Sequence, residues 1–167
     1  MYRKVEQAPS STEDFELPFG RKLAEDNRWV ILDQLIPWAE FEQEYAQNFE
    51  TEAGGPAKSF RLALGALIIK EKLGVRDRET VELLRENPYL QYFIGQSSYS
   101  NEMLFDSSLL VHFRQRISAE LVNKVNREVG RRLREAARSE SEKKLSRRER
   151  AAEKPGEINS IAILNHL

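Results

Sequence analysis

A chain of 167 residues with 40% hydrophobic content can bury one sizeable core, and its charged fraction of 32% suits long solvated helix faces better than a thick two-sided sheet. The absence of cysteine excludes disulfide frameworks and thiolate zinc sites, and no apolar run approaches the roughly 18 residues of a membrane span. The net charge of -1 conceals an asymmetry: Met1 to Pro56 carries 5 basic and 12 acidic residues, Ala57 to Val111 carries 7 of each, and His112 to Arg150 carries 13 and 6. A basic rear half suits a polyanionic partner, although such runs also occur as plain solvated faces, and with no span and no signal-like segment a cytoplasmic protein is expected.

In chain order, residues 1 to 20 mix Pro9, Ser10, Ser11, Thr12, Pro18 and Gly20 with acids and show no sustained periodicity, which predicts a mobile leader. Asp26 or Asn27 then caps a helix carrying Trp29, Val30, Leu32, Leu35 and Ile36. Pro37 opens a second helix with Trp38, Phe41 and Tyr45 on one face. Glu52 to Pro56 reads as a loop. Lys58 or Ser59 starts the most apolar helix, from Phe60 to Leu73, which Gly74 ends; Gly65 inside it costs about 1 kcal/mol of helix propensity relative to Ala and so predicts a close helix crossing. Asp77 is expected to cap a short helix through Val81 and Leu84, and Asn87-Pro88 to open another from Tyr89 to Ile94. After a polar loop, Asp106 caps a helix with Leu109, Leu110, Phe113 and Ile117, and a long helix runs from Ala119 towards Arg150, fraying beyond Arg138 where its apolar band ends. No strand and no internal repeat is predicted. The expected fold is all-α, a small multi-helix bundle with a helix-turn-helix-like part and a long basic C-terminal helix.

Catalytic chemistry finds little to work with. The five aspartates, Asp14, Asp26, Asp33, Asp77 and Asp106, fall in the leader, at caps or on helices, and none follows Asp106. Two-metal phosphoryl transfer needs carboxylates converging on ions a few ångströms apart, and nothing in this pattern suggests that convergence. His112 and His166 are too few for a metal cluster, and Gly54-Gly55 is a turn, not a phosphate loop. By composition, His112 is an ordinary structural or solvated histidine.

Two groups of residues could bind nucleic acid. Lys124, Arg127, Arg131, Arg134 and Arg138 are spaced three, four, three and four apart, which at 100° per residue confines them to an arc of about 80°. Leu121, Val125, Val129, Leu133 and Ala136 fall roughly opposite, so one face can pack while the other meets phosphates. The same spacing equally describes an exposed helix laced with pairs to Glu120, Glu128 and Glu135. On the preceding helix the packing residues leave His112, Arg114, Gln115 and Arg116 as the polar set, and Arg and Gln are able to read guanine and adenine edges. Any small helical bundle supplies comparable spacing, so the pattern alone does not establish a recognition helix.

The runs RLALGALIIKEKLGVRDRETVELLRENPYLQYFIG (Arg61 to Gly95) and FDSSLLVHFRQRI (Phe105 to Ile117) resemble the hallmark blocks of the InsH-type N-terminal domain of IS-five-group transposases. DNRWVILDQLIPW and EFEQEYAQNF are similar to that family's leading pieces, so the resemblance covers about residues 20 to 135. Ser107 stands where relatives often have proline, a change that leaves the helix start intact. The resemblance implies a helical region that binds the ends of a mobile element as double-stranded DNA. In full-length relatives it is followed by a ribonuclease-H-like domain whose Asp, Asp, Glu triad holds the magnesium ions. No residue here matches that triad, and Glu157 to Leu167 does not look like the strand that introduces it. The expectation is therefore a truncated, non-catalytic DNA-binding fragment with no cofactor of its own. Its helical domain would span 21–138 between a leader (1–20) and a charged flexible tail (139–167). The alternative is a helical module that forms homodimers or pairs with full-length transposase and so regulates it. Neither a membrane nor a small-molecule substrate is expected.

Overall fold

The computed structural model describes residues 11–46 and 58–152. The first ten residues of the expected leader, the Glu52 to Pro56 loop and the Glu157 to Leu167 tail lie outside the described residues. Those described form seven α-helices: α1 (Arg28–Leu35), α2 (Trp38–Ala46), α3 (Phe60–Leu73), α4 (Asp77–Glu86), α5 (Pro88–Phe93), α6 (Leu109–Arg116) and α7 (Ala119–Ala152). No strand occurs among them, and the fold is all-α as expected. The chain divides into two compact units, Met1–Val129 and Gly130–Leu167.

Local chemistry sets several of the helix ends. Asn27 Oδ1 accepts from Trp29 N at 2.9 Å, Ser59 Oγ from Leu62 N at 3.2 Å, and Asn87 Oδ1 from Tyr89 N at 2.9 Å, each satisfying an amide that the first turn leaves without a carbonyl. Gly74 ends α3 in the left-handed region, φ 66°, with its N–H on the Lys70 carbonyl. The expected Asp77 cap is not formed. The residue before α4 is Arg76, which makes no side-chain cap, and Asp77 is the first helical residue with its carboxylate directed elsewhere.

In the first unit, α3 packs against α2, α4, α5 and α6, while α1 packs on α5. The main core gathers Trp29, Tyr45, Phe60, Ile69, Leu84, Phe93, Leu110, Phe113, Leu121 and Val125 among others. The crossing predicted at Gly65 is real: a Cβ there would meet Ile94 Cγ2 at 3.0 Å.

A smaller cluster joins Phe15, Leu23, Val30 and Tyr92. It corrects the leader boundary, because part of the expected mobile segment is folded. Glu16 bridges Ser98, donating its N–H to Ser97 O at 3.0 Å and accepting from Tyr99 N at 2.9 Å. Phe15 stacks edge-on with Tyr92 at 5.8 Å. An aromatic buried among acids has no periodic signature, so the segment resembled a leader in sequence.

Residues 94–108 form the connection to α6, and besides the Glu16 bridge a buried amide holds them. Gln91 Nε2 donates to Ser100 O at 2.6 Å and Leu84 O at 2.9 Å, and its Oε1 accepts from Ser100 N at 2.9 Å. These bonds fix where the chain re-enters the bundle to start α6.

The second unit contains the rest of α7, which continues to Ala152 instead of fraying at Arg138. No Gly or Pro interrupts 131–152, and Glu140 precedes Lys144 by four residues, the favourable order for a helical ion pair. Leu133 and Ala136, expected to pack, are exposed in this unit, so the packing stripe ends with the half-buried Val129 of the first.

Candidate nucleic-acid interface

Helix α6 is positioned by its apolar half. Leu110 and Phe113 are buried, Phe113 meets Phe105 edge-on at 5.6 Å, and Ile117 closes the C-terminal end. Before the helix, Ser108 N–H donates to Asp106 Oδ1 at 2.9 Å and Leu109 N–H to Asp106 O at 2.9 Å, so Asp106 organises the entry turn. With this face packed on α3, Val111, His112, Arg114 and Gln115 are exposed together. Helix α6 carries no carboxylate of its own.

These polar residues have different surroundings. His112 and Gln115 point to solvent. Arg114 is gripped end-on by Asp77 at the start of α4, its Nη1 donating to Oδ1 at 3.0 Å and its Nη2 to Oδ2 at 2.8 Å. These hydrogen bonds hold the Asp77 carboxyl below its ordinary range and the Arg114 guanidinium above its own. Lys70 of α3 stands 3.8 Å from the same carboxylate. Because Arg114 retains 42% side-chain exposure, the pair is a solvated one, a class that contributes about 0–1 kcal/mol. Arg116 is half-buried and faces the phenol of Tyr45, whose pKa burial pushes up to about 12 while the guanidinium draws it back.

Within the first unit, Ser118 precedes α7, its Oγ accepting from Leu121 N at 3.2 Å. Lys124 is bound to Glu44 of α2 at 2.7 Å and lies 3.5 Å from Glu120; hydrogen bonding to Glu44 raises its pKa. Arg127 is exposed. Within the second unit, Arg131 pairs with Glu135 one turn on, whereas Arg134 and Arg138 are exposed. Of the nine candidate residues, Arg114, Arg116, Lys124 and Arg131 have protein partners. His112, Gln115, Arg127, Arg134 and Arg138 present their side chains outward. Neither Asp77 nor Glu44 was a sequence candidate, since each reaches its partner across the fold, 37 and 80 residues away.

A carbonyl-lined arginine was missed as well. Arg61, 9% exposed, lies 2.9 Å from Asp33 and donates to Tyr92 O at 2.7 Å and Phe93 O at 3.1 Å, between the rings of Trp38 and Tyr92. This network fastens α1 and α5 to α3 and offers no accessible edge to a ligand.

The chain matches the family model described as Transposase domain (DUF772) over residues 18–116, more than half its length. The chain belongs to this transposase-domain family. The match starts inside the folded N-terminal turns and ends at the last residue of α6, so it spans most of the first unit. Comparisons with curated proteins and with solved structures found no match. Among the described residues of this transposase-family chain, no group of three or more His, Asp or Glu side chains could hold a metal ion. No helix among the described residues is long and apolar enough to cross a membrane.

Proposed function

We propose that this transposase-family region recognises the terminal inverted repeats of an insertion sequence of the IS-five group. It binds them as double-stranded DNA and does not itself cut. The observation that carries this reading is the outward face of α6, where His112, Arg114 and Gln115 stand together with no carboxylate on the helix. Arginine and glutamine present the donor and acceptor pairs that match guanine and adenine in the major groove. Sequence-independent affinity falls to Arg127, Arg134 and Arg138, since Lys124 and Arg131 already have carboxylate partners.

The test is the salt dependence of binding to duplexes carrying the ends of the encoding element. The logarithm of affinity should fall linearly with that of salt concentration, at about 0.9 per phosphate neutralised. Arg127→Gln, Arg134→Gln and Arg138→Gln should each flatten the slope by up to about that amount. An unaltered slope in the triple variant would remove these arginines from the interface.

A second reading, an interaction module that pairs with itself or with full-length transposase, draws on the exposed Leu133 and Leu145 of the second unit. A concentration-dependent dimer with no preference among duplexes would favour it.

A further inference from the structure

We propose that Asp77 is the positioning residue for Arg114, orienting its guanidinium so that the free edge reads a guanine. The inference rests on the DNA-end reading above and deepens it. An arginine side chain has several rotatable bonds, and an exposed one samples many orientations unless something holds its plane. Here the plane is held. Both terminal nitrogens of Arg114 donate to the two oxygens of one carboxylate, at 3.0 and 2.8 Å, and that carboxylate sits on the first residue of α4.

Two of the five guanidinium N–H groups are spent in this grip, leaving Nε–H and one N–H on each terminal nitrogen. Nε–H and its neighbouring N–H form a second fork, the kind of donor pair that meets guanine O6 and N7. The side chain keeps 42% exposure, so part of it remains accessible to a ligand.

Two further observations bear on the role of the pair. As a solvated but bidentate ion pair it contributes modestly to stability, so holding α4 near α6 is the competing role that the unfolding measurements below separate from orientation. A bare carboxylate beside DNA would repel phosphates, but Lys70 stands 3.8 Å from the same carboxylate, so Lys70 and Arg114 together balance Asp77 and the Glu71 carboxylate that also acts on Arg114. Lys70 Nζ is itself fixed by donating to Val75 O at 3.2 Å. The carboxylate is thus offset locally and keeps its grip on Arg114.

The experiment selects from a randomised duplex library with the full chain, then sequences the bound pool. It is repeated with Asp77→Ala, Asp77→Glu, Arg114→Ala and the double variant, with thermal unfolding of each in parallel. The wild type should enrich a motif in which one guanine depends on Arg114. Asp77→Ala should lower the preference at that position about tenfold while leaving the others intact, Asp77→Glu should restore part of it, and the double variant should be no worse than Arg114→Ala. A merely structural Asp77 would weaken all positions alike, together with a lowered melting temperature, and that result overturns the proposal. An increased guanine preference in Asp77→Ala would also overturn it, by showing that the carboxylate restrains Arg114. If the wild type enriches no motif, the DNA-end reading fails and this one with it; a motif unchanged by Asp77→Ala sinks only the positioning role.

Discussion

Asp33 and Arg61 place a charged pair inside the first unit, where desolvation works against both. Burial pushes the Asp33 carboxyl up from its ordinary range, and the Arg61 guanidinium and the Trp38 indole, donating to Oδ1 at 2.8 Å, draw it back. The guanidinium is compensated by Asp33, two carbonyls and two aromatic faces. Removing one partner leaves the other charged and buried, so Asp33→Ala should cost about 3–5 kcal/mol in urea unfolding. Asp33→Ala combined with Arg61→Met should cost less than the sum of the two single changes. Strict additivity would show that the two charges are compensated independently. None of this was read from the sequence: Arg61, between Phe60 and Leu62, is one of three cations on its helix with nothing local to mark it as buried, and Asp33 lies in another helix and has no local mark either.

At the scale of elements, sequence chemistry placed the caps at Asn27, Ser59 and Asn87 and the left-handed stop at Gly74, since each is decided within three or four residues. It misplaced Asp77, whose position at a helix start fits a cap and an ion pair equally well. It also stopped α7 too early, by treating the end of the apolar band as the end of the helix. Beyond Val129 this helix is supported by backbone propensity and charge pairs instead of burial. A chain ending at Val129 should therefore keep the melting temperature of the first unit within a few degrees, and lose the helical circular-dichroism signal of 130–152. A large fall in melting temperature would show that 130–152 stabilises the first unit.

The molecule as a whole consists of two compact units, and the first contains two apolar clusters, one including Tyr45 and the other Tyr92. Burial raises both phenols from 10.0 to about 12. The folded state therefore binds these protons more tightly than the unfolded one. Their contribution to stability is fully present below pH 10 and is lost as pH rises towards about 12. Stability measured by urea should fall less steeply over that interval in Tyr45→Phe than in the wild type, and in the folded protein the tyrosinate absorbance of both residues should appear only as pH approaches about 12. Equal slopes would mean that the Tyr45 phenol reaches solvent in the folded state.

The amino-acid sequence by itself determined the all-α class, most helix boundaries, the packed half of α6 and the uneven distribution of charge, because periodicity and capping act within one or two helical turns. It also carried the family resemblance, which the Transposase domain (DUF772) match supports at the level of the transposase domain. Only the tertiary structure decided which cations are committed to partners. Arg61 meets Asp33, Arg114 meets Asp77 and Lys124 meets Glu44, each through a contact that exists only once two helices have packed. An ion pair depends on the distance between two side chains in space, and for residues 37 or 80 positions apart that distance is set by the fold, not by their spacing in the chain.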